Sequence, residues 1–459
     1  MLYGNREKAL LLSICLLFLP SLAENVVTKD TCRSSGVSSL KNIRCGPGVF
    51  GLSGSARLHG EYFSNRSLKV YGSETDDNLL LTRLAVGAYY RLDFGLSLHG
   101  AVYDARMFFN AFTPDDFTPS CPHENRLDWY YGYADYRSTG PIAFGIRAGR
   151  QQFSFADQRI WGKGVWSNST KYRWDGVLGN VTVNSSTLHL LWGRLLQVDP
   201  GRFDKHYQDF DAFGCYVSTG LVEKGAADGF WVGKFTTAAT GGTGSSAVNT
   251  IGAHIQWPSG AFLLNGTGAW QFGTTGAEKI IAGGAALSGR YTLQVPLKPS
   301  LSLGYTVASG DSDPLDGTCN TFDGVFGSTA KYYGRLNLFY WSNLHDMEFG
   351  TSLALCKKTE ISFMYHYFML ASPTDAWYGT NAKPHKRSDG KARRDQTGNS
   401  GRELGHEIDL VVVSSLLPFT KIEAGLGRLF PGDFIRATAS TPGEKRPVST
   451  VFVQAEVVY

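Results

Sequence analysis

The sequence predicts an all-β protein, a transmembrane antiparallel up-and-down β-barrel of about 18 strands. Three observations support this prediction. The 459-residue chain is rich in Gly (54) and aromatic residues (13%) while only 18% of it is charged, a composition that favours short strands over helices. Apolar and polar residues alternate along many ten-residue segments. The connections between these segments alternate between short and long.

Composition also excludes several classes of protein. The net charge of +4 is small for a chain of 459 residues, so nucleic acid is not an expected partner. After residue 23, no window holds 18 uninterrupted apolar residues, which excludes a bundle of transmembrane helices.

The first 23 residues have the pattern of a secretory signal peptide. Arg6 and Lys8 precede an apolar run from Ala9 to Leu19, and Ser21 and Ala23 supply the small residues of a cleavage site. Eleven apolar residues are too few to span about 30 Å of hydrocarbon. We therefore predict a signal peptide over 1–23, an N-terminal extension over 24–50 and a barrel over 51–459.

Alternation identifies the strands, because successive strand side chains point to opposite faces. In the first strand, Leu52, Leu58 and Tyr62 share one parity, whereas Arg57 and Glu61 share the other. Eighteen segments qualify, near residues 52–62, 79–92, 94–103, 127–137, 142–153, 171–183, 187–195, 212–221, 229–237, 250–257, 261–272, 280–292, 299–308, 346–355, 358–370, 404–415, 419–430 and 450–459. Ten residues, tilted by about 45°, cross the hydrocarbon core. A count of sixteen is the alternative.

The connections sort by length in a way that a soluble sandwich does not require. Most of those after even-numbered strands are short, as at 138–141 and 416–418, and most of those after odd-numbered strands are long, as at 309–345 and 371–403. Residues 238–249 are rich in Gly and Ser and are interpreted as a flexible external loop. Short periplasmic turns and long external loops are typical of outer-membrane barrels.

The last strand agrees with this interpretation. Val451, Val453 and Val457 share one parity, and the chain ends on the aromatic Tyr459. Such an end is typical of the terminal strand that the barrel-insertion machinery reads. We therefore predict a protein of the bacterial cell outer membrane, whose partners include this machinery, outer-membrane lipids and lipopolysaccharide.

Six cysteines follow the predicted signal peptide, and they allow 15 pairings. They are Cys32, Cys45, Cys121, Cys215, Cys319 and Cys356. Cys32 and Cys45 flank a short segment before the barrel and are the favoured pair. No CxxC or Cys/His spacing typical of a zinc site occurs. No metal or cofactor is predicted.

Several sequence blocks carry a family resemblance. One runs from Ile146 to Val177 and contains Gly149-Arg150-Gln151, Arg159, Trp166-Ser167-Asn168 and Trp174-Asp175-Gly176, where Trp174 replaces the usual Phe. Further blocks are Leu303–Asp311, Phe322, Tyr332–Gly334, Tyr365–Phe368, Leu404–Leu410 and Pro431–Phe434. In this order they resemble the alginate export family of outer-membrane porins, over roughly residues 50 to 435. The resemblance implies a barrel that passes a polyuronate such as alginate. Related barrels also occur as general or oligosaccharide porins.

Arginines on inward parities suggest why such a lumen would pass anions. A ring of guanidinium groups makes a lumen positive and holds carboxylates, yet solvated contacts release them. The candidate pore residues are Arg57, Arg83, Arg91, Arg147, Arg150, Arg159, Lys171 and Arg173, with Asp175 and Asp311 as carboxylates that anchor arginines. The predicted function is passive diffusion of anionic oligo- or polysaccharides or other small anions. The alternatives are a general diffusion porin and a structural or adhesive barrel, since polar residues fill the lumen of every such barrel.

Two other features lead to weaker interpretations. The basic stretch from Lys383 to Arg394 lies in a long external connection, where it either recruits polyanions or is a solvated, mobile loop. His366 with Asp409, and His406 with Glu407, are pairs of the residue types that enzymes use in catalysis. Neither lies beside a nucleophile motif, and sequence neighbours on a strand face opposite ways. An enzyme is therefore not predicted.

Overall fold

The computed structural model describes residues 40–68, 76–117, 120–164, 166–221, 224–237 and 244–459. Within these residues, eighteen strands form one closed antiparallel barrel, in which each strand pairs with its neighbours in the sequence. They are β1 (Gly48–Ser64), β2 (Asp77–Leu92), β3 (Leu96–Phe108), β4 (Asn125–Arg137), β5 (Ile142–Gln151), β6 (Trp174–Val183), β7 (Ser186–Gln197), β8 (Lys205–Gly220), β9 (Ala226–Thr236), β10 (Ser246–Ser259), β11 (Phe262–Thr275), β12 (Glu278–Thr292), β13 (Ser300–Ala308), β14 (Leu344–Cys356), β15 (Thr359–Met369), β16 (Glu403–Ser414), β17 (Thr420–Pro431) and β18 (Val448–Val458).

The barrel closes between its first and last strands. β1 and β18 pair from Ser55 opposite Val458 to Ser64 opposite Ser449. The amide of Tyr459 donates to the carbonyl of Gly54 at 2.8 Å, and the Gly54 amide donates back at 3.2 Å. Closure leaves no strand edge exposed, which a sheet in hydrocarbon requires. The prediction of an all-β barrel with eighteen strands is therefore confirmed, and the alternative of sixteen is wrong.

Two short strands lie outside the ring of eighteen. Ile43–Cys45 pairs with the start of β1, and Thr318–Cys319 pairs in parallel with β12. The first barrel strand thus begins three residues before the predicted start at 51, and a hairpin precedes it. The predicted signal peptide, most of the N-terminal extension, half of the Gly/Ser loop and Cys32 lie outside the described residues. The five described cysteines form no disulfide with one another.

The connections follow the predicted alternation, with exceptions. β2 and β3, β4 and β5, β6 and β7, and β14 and β15 are joined by short turns, and the longest connections are 309–343 and 370–402. The link between β11 and β12 is only Gly276 and Ala277, although it follows an odd-numbered strand. β8 begins at Lys205 rather than near 212, so the loop before it is shorter than predicted. By the general rule for these barrels, the end with the short turns is periplasmic.

The alternation of side chains sorts the two faces as the sequence predicts. Leu84 is 57% exposed and Val86 54% exposed on the outer face of β2, where lipid meets the barrel. Arg83 and Ala85 have the opposite parity; they are only 5% exposed and point into the lumen. Arg57 and Glu61 lie inside on β1 in the same way. The hydrophobic outer belt and polar interior together define a membrane barrel.

Three long loops fold into the lumen instead of extending from the barrel. They are the β5–β6 loop (152–173), the β13–β14 loop (309–343) and the β15–β16 loop (370–402). Trp161 of the β5–β6 loop forms a backbone β-bridge with Phe326 of the β13–β14 loop, and both residues are buried. Phe155 stacks on Tyr216 of the β8 wall with ring centroids 4.2 Å apart. The main hydrophobic core of this protein therefore lies inside the barrel, where the loops constrict the lumen.

Helical structure is scarce in the described residues, the longest helix being α1 (Asp433–Ala437). No helix in this part of the chain is long and apolar enough to cross a membrane.

Candidate functional site in the barrel lumen

The β5–β6 loop is fixed to one wall of the lumen through Asn168. The side-chain amide of this fully buried residue donates to the carbonyl oxygens of Thr82 (3.1 Å), Arg106 (3.2 Å) and His123 (2.9 Å). Next to it, the Tyr103 hydroxyl donates to the Ser169 carbonyl at 3.1 Å. The Trp-Ser-Asn block of the sequence thus builds the constriction.

Arg57 and Arg83 hold the same loop. Arg57 donates to Gln454 at 2.7 Å through Nε and to the Trp166 carbonyl at 3.0 Å. Arg83 pairs with Glu456 at 3.1 Å and donates to the Thr170 hydroxyl at 3.3 Å. With 4% and 5% exposure, these two predicted pore arginines lie in the lumen as expected, but their guanidinium groups are used by the protein itself.

Arg159 and Arg173 are more deeply embedded. Arg173, 1% exposed, donates to the Trp129 carbonyl at 2.9 Å and forms an ion pair with Asp204. Arg159 donates to the Tyr333 hydroxyl at 3.1 Å and lies 3.8 Å above the ring of Tyr332. The predicted inward position of Arg173 on a strand is wrong, because β6 begins only at Trp174. Both arginines join loops to each other or to the wall.

Lys171 likewise joins two loops. Its ammonium group donates to the Thr380 carbonyl of the β15–β16 loop at 2.6 Å. Burial lowers the pKa of Lys171 to about 8, since a desolvated ammonium loses hydration that one carbonyl does not replace.

Arg91 and Arg147 are the predicted arginines that remain accessible from the lumen. Arg147, 24% exposed, pairs with Asp135 at 2.8 Å and lies 4.6 Å from the centroid of the Tyr133 ring. Arg91 is exposed near the periplasmic end of β2. His99 stacks between Tyr133 (4.7 Å) and Tyr89 (5.8 Å). We call Tyr89, Arg91, His99, Tyr133 and Arg147 the basic–aromatic wall.

Arg150 and Asp175 were expected in the pore but lie at the external rim, where Arg150 also reaches the buried Asp128 at 3.6 Å. Arg150 is directly opposite Asp175, which is opposite Arg194, which is opposite Asp211. The parity of these four residues is that of the lipid-facing Ile146, so they form a ladder of alternating charge across β5–β8. Arg150 and Asp175 pair at 2.9 Å. Asp175 therefore does anchor an arginine, but at the membrane boundary rather than in the lumen.

Asp311 does not anchor an arginine among the described residues. Its carboxylate accepts the Asp313 amide at 3.2 Å, and its own amide donates to Asp375 at 3.0 Å. It shapes the turn at the start of the β13–β14 loop, where burial raises its pKa.

The inward residues of β14–β17 carry carboxylates that sequence analysis did not single out. We call this set the acidic wall; it consists of Asp346, Glu348, Glu407, Asp409 and Glu423. The predicted pore arginines that lie inward on strands are therefore found on β1, β2 and β5 rather than in a complete ring, and the lumen face of β14–β17 is lined by carboxylates. Strand parity alone was a sufficient signal for these acids, since each falls on the lumen-facing alternation of its strand.

The two histidines that the sequence suggested as members of possible catalytic pairs lie on different faces of the barrel. His366 faces the lumen and lies 3.0 Å from Asp346 through Nδ1. His406 lies on the outer face against the Tyr365 hydroxyl, and Glu407 faces inward, so these two sequence neighbours cannot act together.

The basic stretch from Lys383 to Arg394 is built into a short antiparallel ladder. Backbone bridges join Tyr378 to Pro384 and Lys386 to Ala392. Arg393 is fully buried and pairs with Glu444 at 2.7 Å, whereas Lys383, Lys386 and Lys391 are exposed.

Comparison with known proteins agrees with this architecture. The alginate export family model matches residues 50–449. No curated protein matches the chain in sequence. Solved Pseudomonas aeruginosa barrels share the fold: OccK8 (OprE) at TM-score 0.56 and 9% identity, covering 89% of this chain and 98% of that one. OccK2 (OpdF), solved in complex with glucuronate, gives TM-score 0.54 and 10% identity, with 89% and 96% covered. OprD matches at TM-score 0.53 and 9% identity, and the match covers 89% of this chain and 94% of OprD.

Proposed function

The chain belongs to the alginate export family of the bacterial outer membrane, and on that premise we propose that small carboxylated sugars diffuse passively through its lumen along the basic–aromatic wall. The family and the barrel indicate a transport channel rather than an enzyme.

The observation that carries this proposal is the position of Arg147. Its guanidinium group is partly exposed in the lumen, beside the rings of Tyr133 and His99. A hexuronate offers a carboxylate for the guanidinium group and an apolar ring face for the aromatic side chains. Arg and aromatic groups thus meet at the spacing of one sugar unit.

The same geometry keeps the contact weak, as passage requires. Asp135 already pairs with Arg147 at 2.8 Å, so an arriving carboxylate shares the guanidinium group rather than capturing it. Conduction needs a site that is favourable enough to enter and weak enough to leave. The acidic wall on β14–β17 repels carboxylates and so favours their passage along the basic–aromatic wall.

One barrel of the same fold has been solved with a compound of this substrate class. The OccK2 barrel has been solved with glucuronate, a hexose that bears one carboxylate. At 10% identity this likeness concerns the fold, so the choice of a uronate for this chain rests on the basic–aromatic wall.

The experiment compares fluxes of glucuronate and glucose through proteoliposomes that contain the purified protein. We expect faster flux of glucuronate, and we expect Arg147→Gln to slow glucuronate several-fold while leaving glucose unchanged. Arg194→Gln is the matched control, because Arg194 is also paired with an aspartate (3.1 Å) but lies on the outer rim. Equal fluxes of the two sugars would instead favour a general diffusion porin, and no flux of either would favour a closed structural barrel.

A further inference from the structure

The acidic wall contains a compact group of ligand-type side chains. Asp346 and Glu348 of β14 and His366 of β15 each offer one atom, and these atoms lie within 4.8 Å of one another. Ligands that surround a metal ion at about 2.1 Å lie about 3 to 4.2 Å apart, so small rotamer changes suffice to bring all three onto one ion. Asp346 and His366 are buried, at 1% and 3% exposure.

A second observation comes from the next strand. Glu348, His366 and Glu407 are directly opposite one another on β14, β15 and β16 and form one row of lumen-facing side chains. Glu407 is fully buried, and its side chain is hydrogen-bonded to that of Asp409. Its Oε1 accepts the Leu336 amide at 2.9 Å. Beyond the row, Asp409 accepts the Arg335 amide through Oδ2 at 3.1 Å.

Among the described residues, His366 is the one basic side chain within ion-pair distance of these carboxylates, although Arg159, Arg290 and Arg335 lie near enough to act on them electrostatically. Four carboxylates, from Asp346, Glu348, Glu407 and Asp409, face one imidazole. Arg335 directs its guanidinium group to Glu423, 2.8 Å away. Buried carboxylates that lie close together repel one another when ionised, and a bound cation removes that cost.

We propose that Asp346, Glu348 and His366 bind a divalent transition-metal ion of the Zn²⁺ or Mn²⁺ type, with Glu407 as the neighbouring carboxylate that balances its charge. An imidazole nitrogen with carboxylate oxygens is a donor set that suits these ions, whereas Ca²⁺ prefers oxygen ligands alone. The ion links β14 to β15 and lies beside the place where the β13–β14 loop contacts the wall. This site does not depend on which sugar passes through the lumen.

The test uses the full-length protein, purified in detergent, stripped with EDTA and equilibrated with ZnCl₂ at micromolar free concentration. Metal content after desalting is measured by mass spectrometry. We expect one tightly held Zn²⁺ per chain in the unchanged protein. Glu348→Gln and His366→Gln should each weaken binding at least about tenfold, which is the scale seen when even outer contacts of a metal site are removed.

The matched control is His254→Gln. His254 also faces the lumen and contacts an aspartate, Asp228, at 2.9 Å, but it lies on β10, away from the group of three ligands. It should retain the ion. Heat-modifiable mobility on gels shows that each variant is folded, and Glu348→Gln preserves side-chain size. An unchanged protein that holds no Zn²⁺, or variants that hold it as tightly as the unchanged protein, would overturn the proposal.

Discussion

Replacing Asn168 with Ala should release the constriction from the wall. The three carbonyl groups that accept from Asn168 are at 2.9 to 3.2 Å, and two N–H bonds serve them. Losing buried hydrogen bonds and leaving acceptors without donors costs about 1 to 3 kcal/mol for each group. If the whole contact stabilises the attached loop by about 2 to 4 kcal/mol, its loss raises the population of chains with the β5–β6 loop detached about 30- to 700-fold. Each 1.4 kcal/mol changes this ratio tenfold.

Single-channel recording in a planar bilayer measures this effect directly. We expect Asn168→Ala to show larger or fluctuating conductance, because the loop no longer holds one position in the lumen. Asn265→Ala is the control: Asn265 also faces the lumen, but it contacts His254 within the wall at 3.1 Å. The same conductance and noise in Asn168→Ala as in the unchanged protein would refute the reasoning that this loop forms the constriction.

The remaining predictions concern assembly and the external loops. Tyr459→Asp should lower the folded, heat-modifiable fraction without altering the conductance of the molecules that fold, because a charged side chain replaces the aromatic ring that follows the closing strand β18 and contacts Lys41 at 4.4 Å; normal levels of folded protein would contradict this. Burial opposes ionisation of Glu444, yet hydrogen bonds from Ser388 and Ser440 and the charge of Arg393 hold its pKa at about 2. Its stabilising contribution is therefore present above its ordinary pKa of 4.5 and lost as the pH falls toward 2. Pepsin should accordingly cut the β15–β16 loop much faster at pH 2 than at pH 4, after correction for its own activity, and Glu444→Gln should remove most of this difference; equal protection at both pH values would show that the pair does not hold the loop.

The barrel was predictable from the sequence because its causes are local. Alternation along a strand decides which side chains face lipid, and Leu84 and Arg83 occupy the faces that their parity predicts. The last strand was also predictable, because its alternating pattern continues up to Tyr459. Strand boundaries were less predictable: β8 starts at Lys205 because pairing with β7 continues beyond the alternating segment, past an irregularity at Arg194.

The lumen was less predictable because it depends on contacts between distant segments. Parity placed Arg57 inside the barrel but did not show that Trp166, more than a hundred residues later, occupies its guanidinium group. Arg150 was read as a pore residue within a sequence block, whereas cross-strand pairing with Asp175 places it at the rim. The carboxylates of the acidic wall follow the same parity rule, so their lumen-facing positions were predictable from the sequence, whereas their buried contacts were not.

The central claim is that the accessible arginines of the basic–aromatic wall favour anions in the pore. It is tested most directly by the reversal potential across a bilayer that separates two KCl concentrations. We predict anion preference for the unchanged protein and a shift toward cations when Arg91 and Arg147 are both replaced with Glu, while Arg194→Glu on the outer rim leaves the potential unchanged. The shift should shrink near 1 M salt, where the Debye length falls to about 3 Å. Cation preference in the unchanged protein, or the same reversal potential in the double variant as in the unchanged protein, would contradict the account.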